Sequence, residues 1–95
     1  MKATIVKIDR LKMGTDSPFI RVHFKMHDVP GKTWAKTDIG IHFRNYSMWE
    51  EHLVIGRILG NLRWKDEKTS TIDADSRPEY LGQEGPDPRQ VALDL

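Results

Sequence analysis

No cysteine occurs in this 95-residue chain, which removes disulfide staples and thiolate metal sites from consideration. A reducing compartment is the natural expectation. Long apolar runs are missing too: no stretch approaches the roughly 20 apolar residues that span a bilayer. The opening Met1-Lys2-Ala3-Thr4-Ile5 alternates polar and apolar residues, unlike the continuous apolar core of a secretion signal, so a cytoplasmic location is expected. Neither a glycine-rich phosphate loop, a nucleophile elbow nor a Ser-His-Asp set can be read. No catalytic residue, no cofactor and no enzyme activity are expected.

Metal chemistry is equally thin. His23 and His27 lie four residues apart on a predicted strand, roughly 13 Å at 3.3 Å per residue, too far to share an ion. His42 and His52 have no helical i, i+4 mate, and no thiolate exists to complete a zinc set. Asp73-Ala74-Asp75, with Glu79 beyond, has the oxygen chemistry to hold Mg²⁺ but reads first as an acidic turn ending a strand.

What is present is charge, unevenly placed. The net charge is +1; residues 1–78 carry 14 Lys plus Arg against 10 Asp plus Glu, whereas residues 79–95 carry Arg89 against Glu79, Glu84, Asp87 and Asp94. A basic body of +4 joined to an acidic tail of −3 suggests an anionic ligand for the body, and a tail that repels that ligand or contacts another protein. The length fits one domain. Residues 1–78 are expected to form it and residues 79–95 to form a disordered tail, since Gly82, Gly85, Pro86 and Pro88 stand there among charges with few apolar anchors.

Strand signals dominate the body. Ala3 to Lys12 mixes β-branched residues with charges and stops at Gly14-Thr15-Asp16-Ser17-Pro18, a dense turn cluster. In Phe19 to His27, Ile20, Val22, Phe24 and Met26 alternate with Arg21, His23, Lys25 and His27, which predicts a strand with one core face and one basic face. Val29-Pro30-Gly31-Lys32 has type II turn chemistry and predicts a hairpin into Thr33 to Phe43, where Gly40 marks a bulge or bend. Ser47-Met48-Trp49-Glu50 fits a capping box. Its helix is short, because Gly56 follows, and Trp49 suits a plug at one end of a barrel. Arg57 to Trp64 resumes alternation with Ile58, Gly60, Leu62 and Trp64 on one side, Lys65 to Lys68 is a charged turn, and Thr69 to Ala74 is a last strand.

Five strands with one helix between the third and fourth form the element order of the OB fold, a Greek-key barrel whose strands 2 and 3 present a ligand face. The chain resembles that family over about residues 3–76, and more loosely the small single-stranded DNA-binding proteins that some phages encode. The resemblance implies a five-stranded, mostly β barrel whose ligand lies across Phe19 to His27 and Thr33 to Phe43. The residues themselves agree. Arg21, His23, Lys25, Trp34 and Lys36 combine phosphate-tracking cations with a ring for base stacking, and Arg44, Tyr46 and Arg63 are further candidates. Single-stranded nucleic acid, DNA ahead of RNA, is the expected ligand, bound with little sequence preference by a monomer or homodimer.

Plainer readings stand beside these. Alternating strands usually have a solvated polar face, although four consecutive cationic or titratable outward positions without an intervening acid are unusual. Trp34 serves equally as barrel wall. Trp64 shares the parity of Ile58 and Leu62 and reads as core. The tail, with Val91, Ala92, Leu93 and Leu95 at its end, is similar in character to the acidic tails by which single-strand binders recruit partners, but it lacks their dense aspartate run and terminal aromatic. An alternative function is a protein-interaction module anchored by Trp34, Tyr46 and Trp64, or a virion or assembly component.

Overall fold

In the computed structural model, which describes residues 1–85, the alternation read from Phe19 onward behaves as a period of two requires. Ile20, Val22, Phe24 and Met26 are buried, and Arg21, His23 and Lys25 stand on the opposite face. This strand, β2 (Phe19–Met26), lies between β1 (Ala3–Leu11) and β3 (Trp34–Gly40) in an antiparallel meander. At the hairpin joining β2 to β3, Gly31 takes φ +76° and the Lys32 N–H donates to Val29 O at 3.2 Å. That is the type II geometry Pro30-Gly31 favours.

After β3 come one short helix, α1 (Tyr46–Trp49), a single 3-10 turn (Glu50–His52), and then β4 (Arg57–Gly60), β5 (Trp64–Asp66), β6 (Thr71–Ile72) and β7 (Glu79–Gln83). The fold is mostly β, with seven strands in one sheet of order β5-β6-β3-β2-β1-β4-β7. The expected count of five is corrected at two places. Asn61 adopts φ +59°, a left-handed conformation that asparagine tolerates better than most residues, and it divides the expected fourth strand into β4 and β5. The second addition is β7, formed by residues expected to belong to the tail; it pairs antiparallel with β4. The remainder of that tail, residues 86–95, lies outside the described residues.

The split fourth strand also explains why the sheet curls. In a flat sheet β4 and β5 would stand five strand spacings apart, about 24 Å at about 4.8 Å each. The chain from Gly60 to Trp64 can reach only about 14 Å. The sheet must therefore roll into a half-barrel, and the handover occurs within two residues: Leu62 exchanges backbone bonds with Met1, while Arg63 O already accepts from Asp73 N at 2.9 Å on the β6 side. The barrel is open, not closed, because no ladder joins β5 to β7 among the described residues.

The core fills the concave side. Ile5, Ile20, Val22, Phe24, Ile39, Leu59 and Ile72 are essentially inaccessible, and Trp49 from α1 seals them from one end. Its ring lies 6.2 Å from that of Phe24, and its indole N–H donates to Ala74 O at 2.8 Å, satisfying the one polar atom that burial would otherwise strand. Two local expectations fail. The capping box does not form: Asn45 is the N-cap, and Ser47 lies inside the helix with its hydroxyl on Arg44 O. The parity of Arg57 to Gly60 is also inverted, with Leu59 in the core and Ile58 half-buried on the outer side. The kink at Asn61 resets the phase so that Leu62 is again buried. No helix among the described residues is long and apolar enough to cross a membrane.

Candidate nucleic-acid interface

The convex face of β2 and β3 gathers five of the residues singled out from the sequence. Register places Lys25 opposite Trp34, His23 opposite Lys36 and Arg21 opposite Asp38, so their side chains share one surface. The face is less cationic than β2 alone suggests. Arg21 donates from Nε and Nη2 to the two oxygens of Asp38 at 2.7 and 3.0 Å, a bidentate pair that raises the arginine's proton affinity further. His23 Nε2 sits 3.0 Å from Asp9 Oδ2 on β1, and Lys25 Nζ is 3.1 Å from Glu84 Oε1. The acids absent from β2 itself are supplied by the neighbouring strands β1 and β3 and by Glu84, which follows β7. Among the described residues Lys36 is the cation of this face without a carboxylate partner.

Glu84 reaches Lys25 because the chain after β7 is pinned. Its N–H donates to Gly56 O at 2.7 Å, and the side chain of Gln83 donates to Ile55 O. Gly56, at φ +89°, would place a Cβ 2.3 Å from Glu84 O, so only glycine admits this approach. The hydrogen bond and charge of Lys25 hold the Glu84 carboxyl below the usual glutamate range.

Two aromatic rings frame the same face. Trp34, at the start of β3, is 56% exposed, and Phe43, just past its end, is 72% exposed. Phe43 lies on the outer surface because Gly40 has no side chain: a Cβ there would fall 2.2 Å from the Phe43 ring. β3 pairs with β2 without a register shift up to Gly40 and ends there, short of Phe43, in a turn closed by the Phe43 N–H donating to Gly40 O at 3.1 Å, so that glycine marks a bend, not a bulge, and makes room for the ring. Beside Phe43, a cavity of about 350 Å³ is bordered by Pro18, Phe19 and His42. Tyr46 is half-buried against the core and is not an open stacking platform, and Trp64 is half-buried with the Lys32 ammonium 5.6 Å from its ring centre.

Arg44 and Arg63 belong elsewhere. They border a separate cavity of about 750 Å³ together with Arg77. No family model, curated protein or solved structure matches this chain. The interface is accordingly read from its own chemistry. Phe43 was legible in principle, as an aromatic three residues beyond a strand-ending glycine, whereas the partners Asp9, Asp38 and Glu84 depend on register and on β7. Asp73 and Asp75 have turn roles: Asp73 Oδ1 accepts from Asp75 N, Asp73 Oδ2 faces Arg63, and Asp75 Oδ1 accepts from Asn45.

Proposed function

We propose that the convex face of β2 and β3 binds single-stranded nucleic acid, DNA ahead of RNA, with little sequence preference. The observation that carries this reading is the line Trp34, Lys36, Phe43: two exposed rings, one on β3 and one packed over its last residue, on either side of an unpaired cation. Six residue steps along the strand separate Trp34 from Gly40, roughly 20 Å. Rings on which bases stack, with a cation for the backbone between them, are the elements of sequence-tolerant single-strand binding. The fold is read as OB-related: with residues 57–66 counted as one strand bent at Asn61 and β7 as an addition, the order is again five strands with a helix after the third, and strands 2 and 3 of that fold form its ligand face.

Titration of the full chain with oligothymidine at two salt concentrations, followed by tryptophan fluorescence, tests the proposal. Trp49 is buried and Trp64 half-buried beside Lys32, so most of the quench is expected from Trp34, and Trp34→Ala, followed by the anisotropy of a dye-labelled oligothymidine, should weaken binding by about 1–3 kcal/mol. Absence of binding at low salt would end the idea. A second reading, docking of a protein on the same face, draws on the carboxylates that neutralise β2: a nearly neutral surface with exposed rings also suits a protein partner. It gains only if oligothymidine is ignored and Trp34→Ala abolishes capture of a defined protein.

A further inference from the structure

The cavity beside α1 collects three arginines that the chain brings from three places. Arg44 comes from the segment before the helix, Arg63 from the handover between β4 and β5, and Arg77 from the loop before β7. Its frame is tied at several points. Asn61 Nδ2 donates to Arg77 O at 2.9 Å, Arg63 N to the buried hydroxyl of Ser76 at 3.2 Å, and the Trp49 indole to Ala74 O. The guanidinium of Arg63 is oriented by Asp73 Oδ2 and Asp75 O, both at 3.3 Å. Arg44 and Arg77 are exposed, and neither side chain has a carboxylate partner among the described residues. The lining also offers the Ser47 hydroxyl and the Asn45 amide, and its single carboxylate is Asp75. With Asp73 paired to Arg63, three positive charges meet two negative ones and leave a net of +1.

We propose that this cavity is a binding site for a phosphate monoester. The two guanidiniums without a carboxylate partner, Arg44 and Arg77, complement a group that carries close to two negative charges at neutral pH, and guanidinium forks offer paired N–H donors to its oxygens. Arg63 is held in place by two hydrogen bonds although its side chain is 64% exposed, and Arg44 and Arg77 border the same cavity, which reduces the ordering cost of capture. The site does not depend on the β2–β3 face taking a nucleic acid. The phosphate group has two sources, a small phosphorylated molecule or the phosphorylated end of a strand.

The full chain, ¹⁵N-labelled, is titrated with inorganic phosphate while the arginine Nε–Hε signals are followed, with chloride at matched ionic strength as reference. The expected result is a saturable shift of Arg44, Arg63 and Arg77 with phosphate alone. Arg77→Ala and Arg44→Ala, which remove exposed side chains and leave the fold in place, should each weaken binding roughly tenfold. Asp75→Asn, which keeps the oxygen facing Asn45 and deletes the opposing charge, should tighten it. Equal shifts with chloride, or affinities untouched by both arginine variants, would overturn the proposal. Parallel titrations with TpT and its 5′-phosphorylated form separate the sources: pTpT binding tighter than phosphate and TpT assigns a strand end, and pTpT equal to phosphate with TpT weaker assigns the free group. TpT binding as tightly as pTpT would refute a monoester site. Trp34 fluorescence, read in the same samples, reports the β2–β3 face separately.

Discussion

Gly40 and Phe43 show how much one missing side chain can decide. The glycine is the last residue of β3, and the Phe43 ring occupies the outward position that its side chain would have filled. Because the ring is largely exposed, moving it costs little stability. Gly40→Ala should therefore shift the melting temperature by only a few degrees, on the scale of about 4–8 °C per kcal/mol for a domain this small, yet reduce oligothymidine affinity as Phe43→Ala does. Calorimetry beside the fluorescence titration checks both halves. A change in affinity absent from Phe43→Ala would remove the ring from the interface.

Glu84 is the complementary case, an acid that occupies a cation of the face. Its carboxyl is held below the ordinary glutamate range by Lys25, so the pair is complete above that range and is lost as pH falls through the lowered value. Lys25 is free for phosphate only below it. Glu84→Gln should reproduce the low-pH state at neutral pH: affinity for oligothymidine rises, and the slope of log K against log salt steepens by about 0.7, the increment for one added phosphate contact on a single strand. An unchanged slope would show that Lys25 does not meet the backbone.

At the scale of elements, β7 carries the largest departure from expectation. Residues 79–83 are rich in polar groups and glycine and read as tail, yet they pair with β4, and the ring of Tyr80 lies 4.8 Å from the Arg57 guanidinium. Ending the chain at Pro78 exposes the β4 edge and removes that contact, whereas ending it at Gly85 leaves the whole sheet. Thermal unfolding should place the first several degrees below the second, and the first should associate more readily through its unpaired edge. Equal melting temperatures would mean that β7 contributes nothing to the fold. The same strand alters any reading of the tail as a competitor for ligand, because removal at Pro78 changes stability and charge together.

At the scale of the molecule, the partition of charge moves. Residues 1–78 carry +4, but β7 and the segment behind it return Glu79 and Glu84 to the sheet, leaving +2 over residues 1–85. Three cations of the convex face are already matched by Asp38, Asp9 and Glu84. Stacking, not counterion release, should then dominate binding there. The salt slope of the unaltered chain is expected at about −0.7, corresponding to the one phosphate that Lys36 neutralises; a slope of about −2.8 would require all three ion pairs to open on binding.

The period of two in β2 and the type II turn at Pro30-Gly31 were determined by the sequence alone, because each depends on neighbours a few residues away: pleat parity and backbone freedom at one glycine. The gathering of Arg21, His23, Lys25, Trp34 and Lys36 on one face followed from the same parity. Tertiary structure decided the rest. Whether a cation is free depends on which carboxylate stands beside it, and neither strand register nor a side-chain contact across 59 positions, as between Lys25 and Glu84, leaves a local trace. The left-handed turn at Asn61 is a local event, but its consequences, a divided strand, a curled open sheet and the meeting of Arg44, Arg63 and Arg77, arise only when distant segments pack together.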